Sequence, residues 1–359
     1  MSKYMNEEFR TLERYTPGEQ PQDKKYIKLN TNESPFPPSP EVIKAVTGQQ
    51  VEKLCLYSDP QSKALKKAIA REFSLKEENV FVSNGSDEIL NFAFMLYGKQ
   101  KGTLFPDITY GFYKVFSDLY HIDYTEIPLK DDFTIDVNDY MGKNKFIVIA
   151  NPNAPTGMTL DKEDIVRIIE SNPESIVLID EAYVDFGGKS CYELIKRYDN
   201  LIVCQTFSKS RSLAGARLGF CFANEEIIND LETIKYSTNP YNINRLTQLI
   251  GEKAIESGDY YTGNCCRIIE NREYTEKELK ESGFEVLPSK ANFVFVRHPE
   301  VDGEKIYIKL KEKGILVRHF TKDRISQYNR ITIGSKEQMT ALVETLKIIL
   351  AEENQNENS

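Results

Sequence analysis

Short apolar runs separated by amphipathic stretches constrain this chain more than any other feature. Val80–Val82, Phe146–Ala150, Ile176–Ile179, Leu201–Cys204 and Leu218–Phe222 are strand-length segments made almost wholly of apolar residues. A strand apolar on both sides must be covered on both sides. Most of these runs are separated by helical patterns such as Glu163–Glu170. Residues 61–73, before the first run, carry Ala64, Leu65, Ala68, Ile69 and Phe73 at helical spacing. The pattern predicts an α/β fold with a mainly parallel sheet covered by helices, and such sheets hold ligands at the carboxyl ends of their strands.

The pattern changes at both ends. Before residue 41 the chain is polar and proline-rich, from Pro17 to Pro40, and reads as an extended N-terminal arm over 1–40. A large domain is expected over 41–245. A smaller α+β domain is expected over 246–359, with strands at Phe293–Val296 and Ile331–Ile333. Ser335 and Gln338 form a capping box ahead of a helix through Met339, Leu342, Val343, Leu346, Ile349 and Leu350. The polar end, Glu352–Ser359, is expected to be disordered.

Charge and cysteine usage exclude several function classes. With 46 Lys+Arg against 55 Asp+Glu, the net charge of −9 speaks against nucleic-acid binding. No apolar run approaches the roughly 20 residues of a membrane helix, and Met1–Tyr15 lacks the apolar core of a signal peptide. The six cysteines form no CxxC pair, and three histidines supply no zinc or haem spacing. A cytoplasmic, metal-free chain acting on small molecules is expected, without nucleic-acid or membrane partners.

Five segments carry candidate chemistry, and each has an ordinary structural alternative when taken alone. In TFSKSRSLAGARLGF (206–220), Lys209 follows a strand and lies near Arg211 and Arg217. A lysine amine with cationic neighbours loses its proton more readily and can form a Schiff base with an aldehyde. Ser208 and Arg217 suit a phosphate, although a solvated basic loop would look similar. In VLIDEAYVDF (177–186), Asp180 ends an apolar strand, where its carboxylate can hold a pyridine nitrogen and Tyr183 can donate to a phenolic oxygen. Charged residues at such a place are equally often helix caps. IANPNAPTG (149–157) is a turn of Asn, Pro and Gly in which an X-Pro bond can be cis. VSNGSDEIL (82–90) reads as a glycine turn feeding a helix whose first-turn amides, at Ser86, Asp87 and Glu88, can bind an anion. Tyr110 can stack on a flat ring, but the chain has 20 tyrosines.

Taken in order (glycine turn, aromatic, Asn-Pro turn, strand-Asp-x-x-Tyr, Ser-Lys with an Arg eight residues on), the segments resemble the fold-type I pyridoxal-phosphate enzymes of the aminotransferase class I/II superfamily. Within it, YTPGEQP, YIKLNTNESPFPPSP (26–40), GILVRHF (314–320) and NRITIGS (329–335) are similar to the histidinol-phosphate aminotransferase family. The resemblance spans nearly the whole chain. It implies that pyridoxal 5'-phosphate is held on Lys209, which also shuttles the proton. It implies Asp180 on the pyridine nitrogen, Tyr183 on the phenolic oxygen and Tyr110 stacked on the ring. The phosphate would lie among Ser86, Asp87, Glu88, Ser208 and Arg217, with Tyr57 reaching it from the neighbouring subunit of a homodimer. Asn32, Arg318 and Arg330 would bind substrate. The family's Asn before Pro-Thr-Gly is Ala154 here, and Asn153, one residue earlier, is the expected replacement. Ser34 stands where Asn is commoner. The resemblance implies transamination between histidinol phosphate and 2-oxoglutarate or glutamate, a step of histidine biosynthesis. Threonine-phosphate decarboxylation, aromatic transamination and a non-catalytic ligand sensor are the alternatives.

Overall fold

The computed structural model describes residues 2–13, 15–16 and 18–357; Pro17 and Ser359 lie outside them. Seven strands form the central sheet: β1 (Val80–Ser83), β2 (Thr103–Pro106), β3 (Tyr124–Ile127), β4 (Phe146–Ala150), β5 (Val177–Asp180), β6 (Leu201–Thr206) and β7 (Gly219–Phe222). Their order is β1-β7-β6-β5-β4-β2-β3, and β7 alone runs antiparallel to its neighbours. Alternate residues point to opposite faces, and both faces are apolar. Ile147, Ile149, Val177, Ile179 and Val203 pack into one core, and Val148, Leu178, Ile202, Cys204 and Phe105 into the other. This is why β4, β5 and β6 read as unbroken apolar runs.

β2 and β3 are not among the sequence-predicted strands. β3 is the sheet edge, with Thr125 and Glu126 exposed, so it lacks the apolar signature of the buried strands.

A second, antiparallel sheet lies in the C-terminal part. It comprises β8 (Glu285–Val286), β9 (Phe293–Arg297), β10 (Arg318–His319) and β11 (Asn329–Thr332), in the order β10-β11-β9-β8. The expected strands at 293–296 and 331–333 correspond to β9 and β11, the latter beginning two residues earlier. Helix Lys336–Glu357 packs Met339, Leu342, Leu346 and Ile349 into this domain's core. Its capping box forms as expected: the Ser335 amide donates to Gln338 Oε1 (2.8 Å), and the Gln338 amide donates to Ser335 Oγ (3.3 Å). The expected disordered end is corrected for 352–357, which are helical. Glu353 is buried and paired with Lys305 and Lys309.

The N-terminal arm is also more than a loose extension. Ile27–Lys28 pairs in parallel with Ile315–Leu316, and Leu29 is 1% exposed in the small-domain core. The Thr332 amide donates to the Leu29 carbonyl at 2.9 Å. These bonds carry Asn30, Thr31 and Asn32 to the junction between the sheets. Helix Arg245–Glu256 packs Ala254 and Ile255 into the large-sheet core. The 24-residue helix Gly258–Glu281 then runs from Tyr261 in that core to Leu279 in the small one.

Candidate active site

The carboxyl ends of β1, β4, β5 and β6 surround a cavity of about 340 Å³. Lys209, Asp180, Tyr183, Tyr110, Ser86, Asp87, Ser208 and Arg217 all line it. They come from separate stretches of sequence, and the parallel sheet alone brings them together. A second cavity of about 620 Å³ shares Thr31, Tyr110, Ala154, Tyr183 and Lys209 with the first and continues toward Asn32, Arg318 and Arg330.

One end of the inner cavity is built for an anion. Helix Ser86–Ala93 starts there with no side chain capping it, so its first N–H groups, at Ser86 and Asp87, face outward as an anion site. Two glycines make that approach close. A Cβ on Gly219 would lie 2.4 Å from the Ser86 nitrogen, and one on Gly85 (φ +79°) would lie 2.6 Å from Arg217 Nη2. Arg217 is itself left-handed, with φ +54°, a conformation that costs a non-glycine residue about 1 kcal/mol or more. Its guanidinium donates to Asp87 at 3.0 Å, and the Tyr110 hydroxyl donates to the other oxygen of Asp87 at 2.8 Å.

Asp180 lies at the opposite side, 5% exposed. Burial pushes its carboxyl up to about 6, against hydrogen bonds from the Tyr113 hydroxyl (2.8 Å) and the Ala182 amide (3.2 Å) that favour the anion. Lys209 Nζ donates to the Thr31 carbonyl at 3.3 Å and sits 5.7 Å above the Tyr183 ring. The Tyr183 hydroxyl accepts from Asn32 Nδ2 at 2.9 Å, which leaves its own proton free to donate.

In the outer cavity Arg318 and Arg330 face each other across β10 and β11. Arg330 donates to the Asn30 carbonyl at 3.1 Å, while its buried Nε has no hydrogen-bond partner among the described residues. Burial holds the Arg330 guanidinium below its usual value, and the neighbouring Arg318 charge acts in the same direction. A buried donor left over beside a second cation is a place for an anion.

The aminotransferase class I and II family matches residues 24–346. The chain belongs to that family. It is 51% identical over 352 residues to histidinol-phosphate aminotransferase of Brachyspira hyodysenteriae, covering 98% of this chain and 99% of the relative. It is 47% identical over 351 residues to the enzyme of the same name from Clostridium botulinum, covering 98% and 99%. The fold is shared with histidinol-phosphate aminotransferase of Sinorhizobium meliloti, solved in complex with pyridoxal-5'-phosphate: TM-score 0.84, 23% identity, 92% of each chain.

Two of the expected cofactor contacts are placed elsewhere by the structure. Asn153 lines neither cavity, and its side chain is hydrogen-bonded to its own turn and the neighbouring loop. Oδ1 accepts from Thr109 (2.8 Å), and Nδ2 donates to the Ile108 carbonyl (2.9 Å) and Thr156 Oγ1 (3.1 Å). Ala154 faces the cavity instead, in a turn whose Asn151-Pro152 and Ala154-Pro155 bonds are both cis. Glu88 is corrected likewise: it lines neither cavity, its amide donates to the Gly85 carbonyl (3.3 Å), and its carboxylate accepts from the Asn84 amide (2.7 Å) and from Asn242 Nδ2 (2.6 Å), holding the turn before the helix. Tyr57 is 78% exposed and outside its own chain's cavity, stacked on Tyr241 at 4.5 Å. Sequence reasoning missed Tyr113, Thr31 and Glu33. Tyr113 lies three residues after Tyr110, and this closeness in sequence was the only signal available. Thr31 contributes its backbone carbonyl, which side-chain motifs do not report.

Proposed function

We propose that the chain catalyses the pyridoxal-phosphate-dependent transamination of histidinol phosphate with 2-oxoglutarate. The carrying observation is one cavity that has the Lys209 amine, the Asp180 carboxylate and an uncapped helix start with Arg217 on its walls. The donor set fits the cofactor: an anion cradle for phosphate, an acceptor for a ring N–H and a free hydroxyl for a phenolic oxygen. Ser86, Asp87, Ser208 and Arg217 would hold the phosphate, the first two through backbone N–H. Tyr110 would cover the ring.

Pyridoxal phosphate, when bound, supplies an aldehyde that takes up the amino group and a ring that withdraws electrons from the substrate carbon. Asp180 would pair with the ring nitrogen and keep it protonated. Tyr183, held by Asn32 Nδ2, would donate to the phenolic oxygen. Lys209 Nζ would hold the cofactor through its aldehyde carbon and, once freed, would serve as the general base and acid for the substrate Cα proton. Arg330 and Arg318 bind the anionic end of each substrate, a phosphate in one half-reaction and a carboxylate in the other. Two half-reactions sharing one site make the kinetics ping-pong.

A homodimer is part of the same proposal. Tyr57 stands among the exposed apolar residues Val51, Leu54 and Leu56, and would serve a neighbouring subunit's phosphate cradle. In domain terms we propose an arm, a cofactor-binding domain and a small domain, and move the boundary from residue 245 into helix Gly258–Glu281. The biosynthetic reaction supports a cytoplasmic location.

Purified protein supplied with the cofactor, histidinol phosphate and 2-oxoglutarate should form glutamate, and do so faster than with phenylalanine as donor. Release of carbon dioxide from threonine phosphate without a keto acid, and no glutamate from histidinol phosphate, would overturn the reading.

A further inference from the structure

Tyr113 is fully buried on helix Phe112–Leu119 and lines neither cavity. Its ring packs edge-on against Tyr110 (5.7 Å, 85°) and lies near Phe94 and Phe105. Its hydroxyl donates to Asp180 Oδ2 at 2.8 Å, the one side-chain hydrogen bond that Asp180 receives among the described residues. A tyrosine that served packing alone could be phenylalanine, as at Phe94 and Phe105, since a buried hydroxyl costs free energy unless bonded.

We infer that Tyr113 is a positioning residue for the reaction: from behind the cavity wall it holds the Asp180 carboxylate as an oriented anion, and so sets how tightly the pyridine ring is bound and how firmly its nitrogen stays protonated. This rests on the cofactor reading above. The groups facing Asp180 are few. Tyr113 and the Ala182 amide stabilise its charge, Lys209 adds a distant attraction, and Asp87 opposes it. Cys204, its ladder neighbour on β6, has a thiol that burial keeps protonated. With burial working against the anion, removing the Tyr113 donor leaves only the Ala182 amide bonded to it. A charge-assisted bond of this type is worth about one to two factors of ten, so the carboxylate's titration should move up by about one to two pH units.

The test is cofactor binding to the cofactor-free protein, followed by fluorescence across a pH series for wild type and Tyr113→Phe. Phenylalanine fills the same ring volume and removes only the hydroxyl. Wild type should bind; if it does not, the cofactor reading itself fails. Tyr113→Phe should bind about two- to tenfold more weakly near neutrality. Its loss relative to wild type should shrink at higher pH, where Asp180 ionises in both chains; the ratio cancels the cofactor's own titration. In an Asp180→Asn background the Tyr113→Phe loss should fall below about twofold, because coupled groups are not additive. A Tyr113→Phe affinity equal to wild type, a loss independent of pH, or a full loss persisting with Asp180→Asn would each overturn the inference while leaving the cofactor reading intact.

Discussion

Replacing Asp180 with asparagine should make the cofactor-free protein more stable while making it a worse enzyme. Asp180 is buried, and its carboxyl is pushed up from 3.8 to about 6 because burial penalises the charge more than Tyr113 and the Ala182 amide compensate. Between those values the folded chain binds the proton more tightly than the unfolded chain. Stability therefore falls as pH rises through this window, and above it the full penalty remains. At about 1.4 kcal/mol per pH unit, the gap corresponds to about 3 kcal/mol at neutral pH. An asparagine side chain at this position would carry no charge to bury, and its carbonyl oxygen can still accept from Tyr113. Urea unfolding of the two cofactor-free proteins at about pH 4.5 and about pH 8 measures the difference. The asparagine chain should gain about 1–3 kcal/mol at the higher pH and much less at the lower. Cofactor affinity should drop in the same variant. A substitution that destabilises at the higher pH, or a difference independent of pH, would refute the reasoning that a costly buried charge is kept for the cofactor.

Arg318→Gln should weaken histidinol phosphate about ten- to hundredfold and leave an uncharged aromatic amine nearly unaffected, read as kcat/KM on the two donors. Arg330→Gln should slow both half-reactions, measured separately in single turnovers, and lysine should rescue neither position because it offers no planar fork. A Tyr57→Ala chain mixed with a Lys209→Ala chain should partly recover activity if Tyr57 acts across the subunit interface, since one site in each mixed dimer keeps both residues. Continued inactivity after verified exchange would count against shared sites.

The sequence was legible wherever a feature depends on local pattern. β4, β5 and β6 are buried on both faces, so their apolar runs mark them, and Asp180, Ser208 and Lys209 follow because the residues at the ends of such strands line the cavity. Edge strand β3 was illegible because its exposed residues, such as Thr125 and Glu126, are polar. Asn153 and Ala154 show the limit of spacing arguments. Which of two adjacent residues faces the cavity depends on the turn's hydrogen bonds to Thr109 and Ile108, 44 and 45 residues away. Glu88 sits in the right turn but spends its carboxylate on Asn84 and Asn242. Thr31, Leu29 and Tyr113 act through a backbone carbonyl, a distant core and another side chain, and none of these leaves a motif. The tail reads as polar because its one buried residue among those described, Glu353, is itself charged and turns inward toward Lys305 and Lys309.

The most direct measurement is to find where the cofactor attaches. The purified protein is loaded with pyridoxal phosphate, reduced with borohydride to fix the cofactor to the amine that holds it, and digested for peptide mass mapping. The account predicts the added mass on the peptide containing Lys209, and its absence from that position in Lys209→Ala. A label on another lysine, or none after loading, would contradict it.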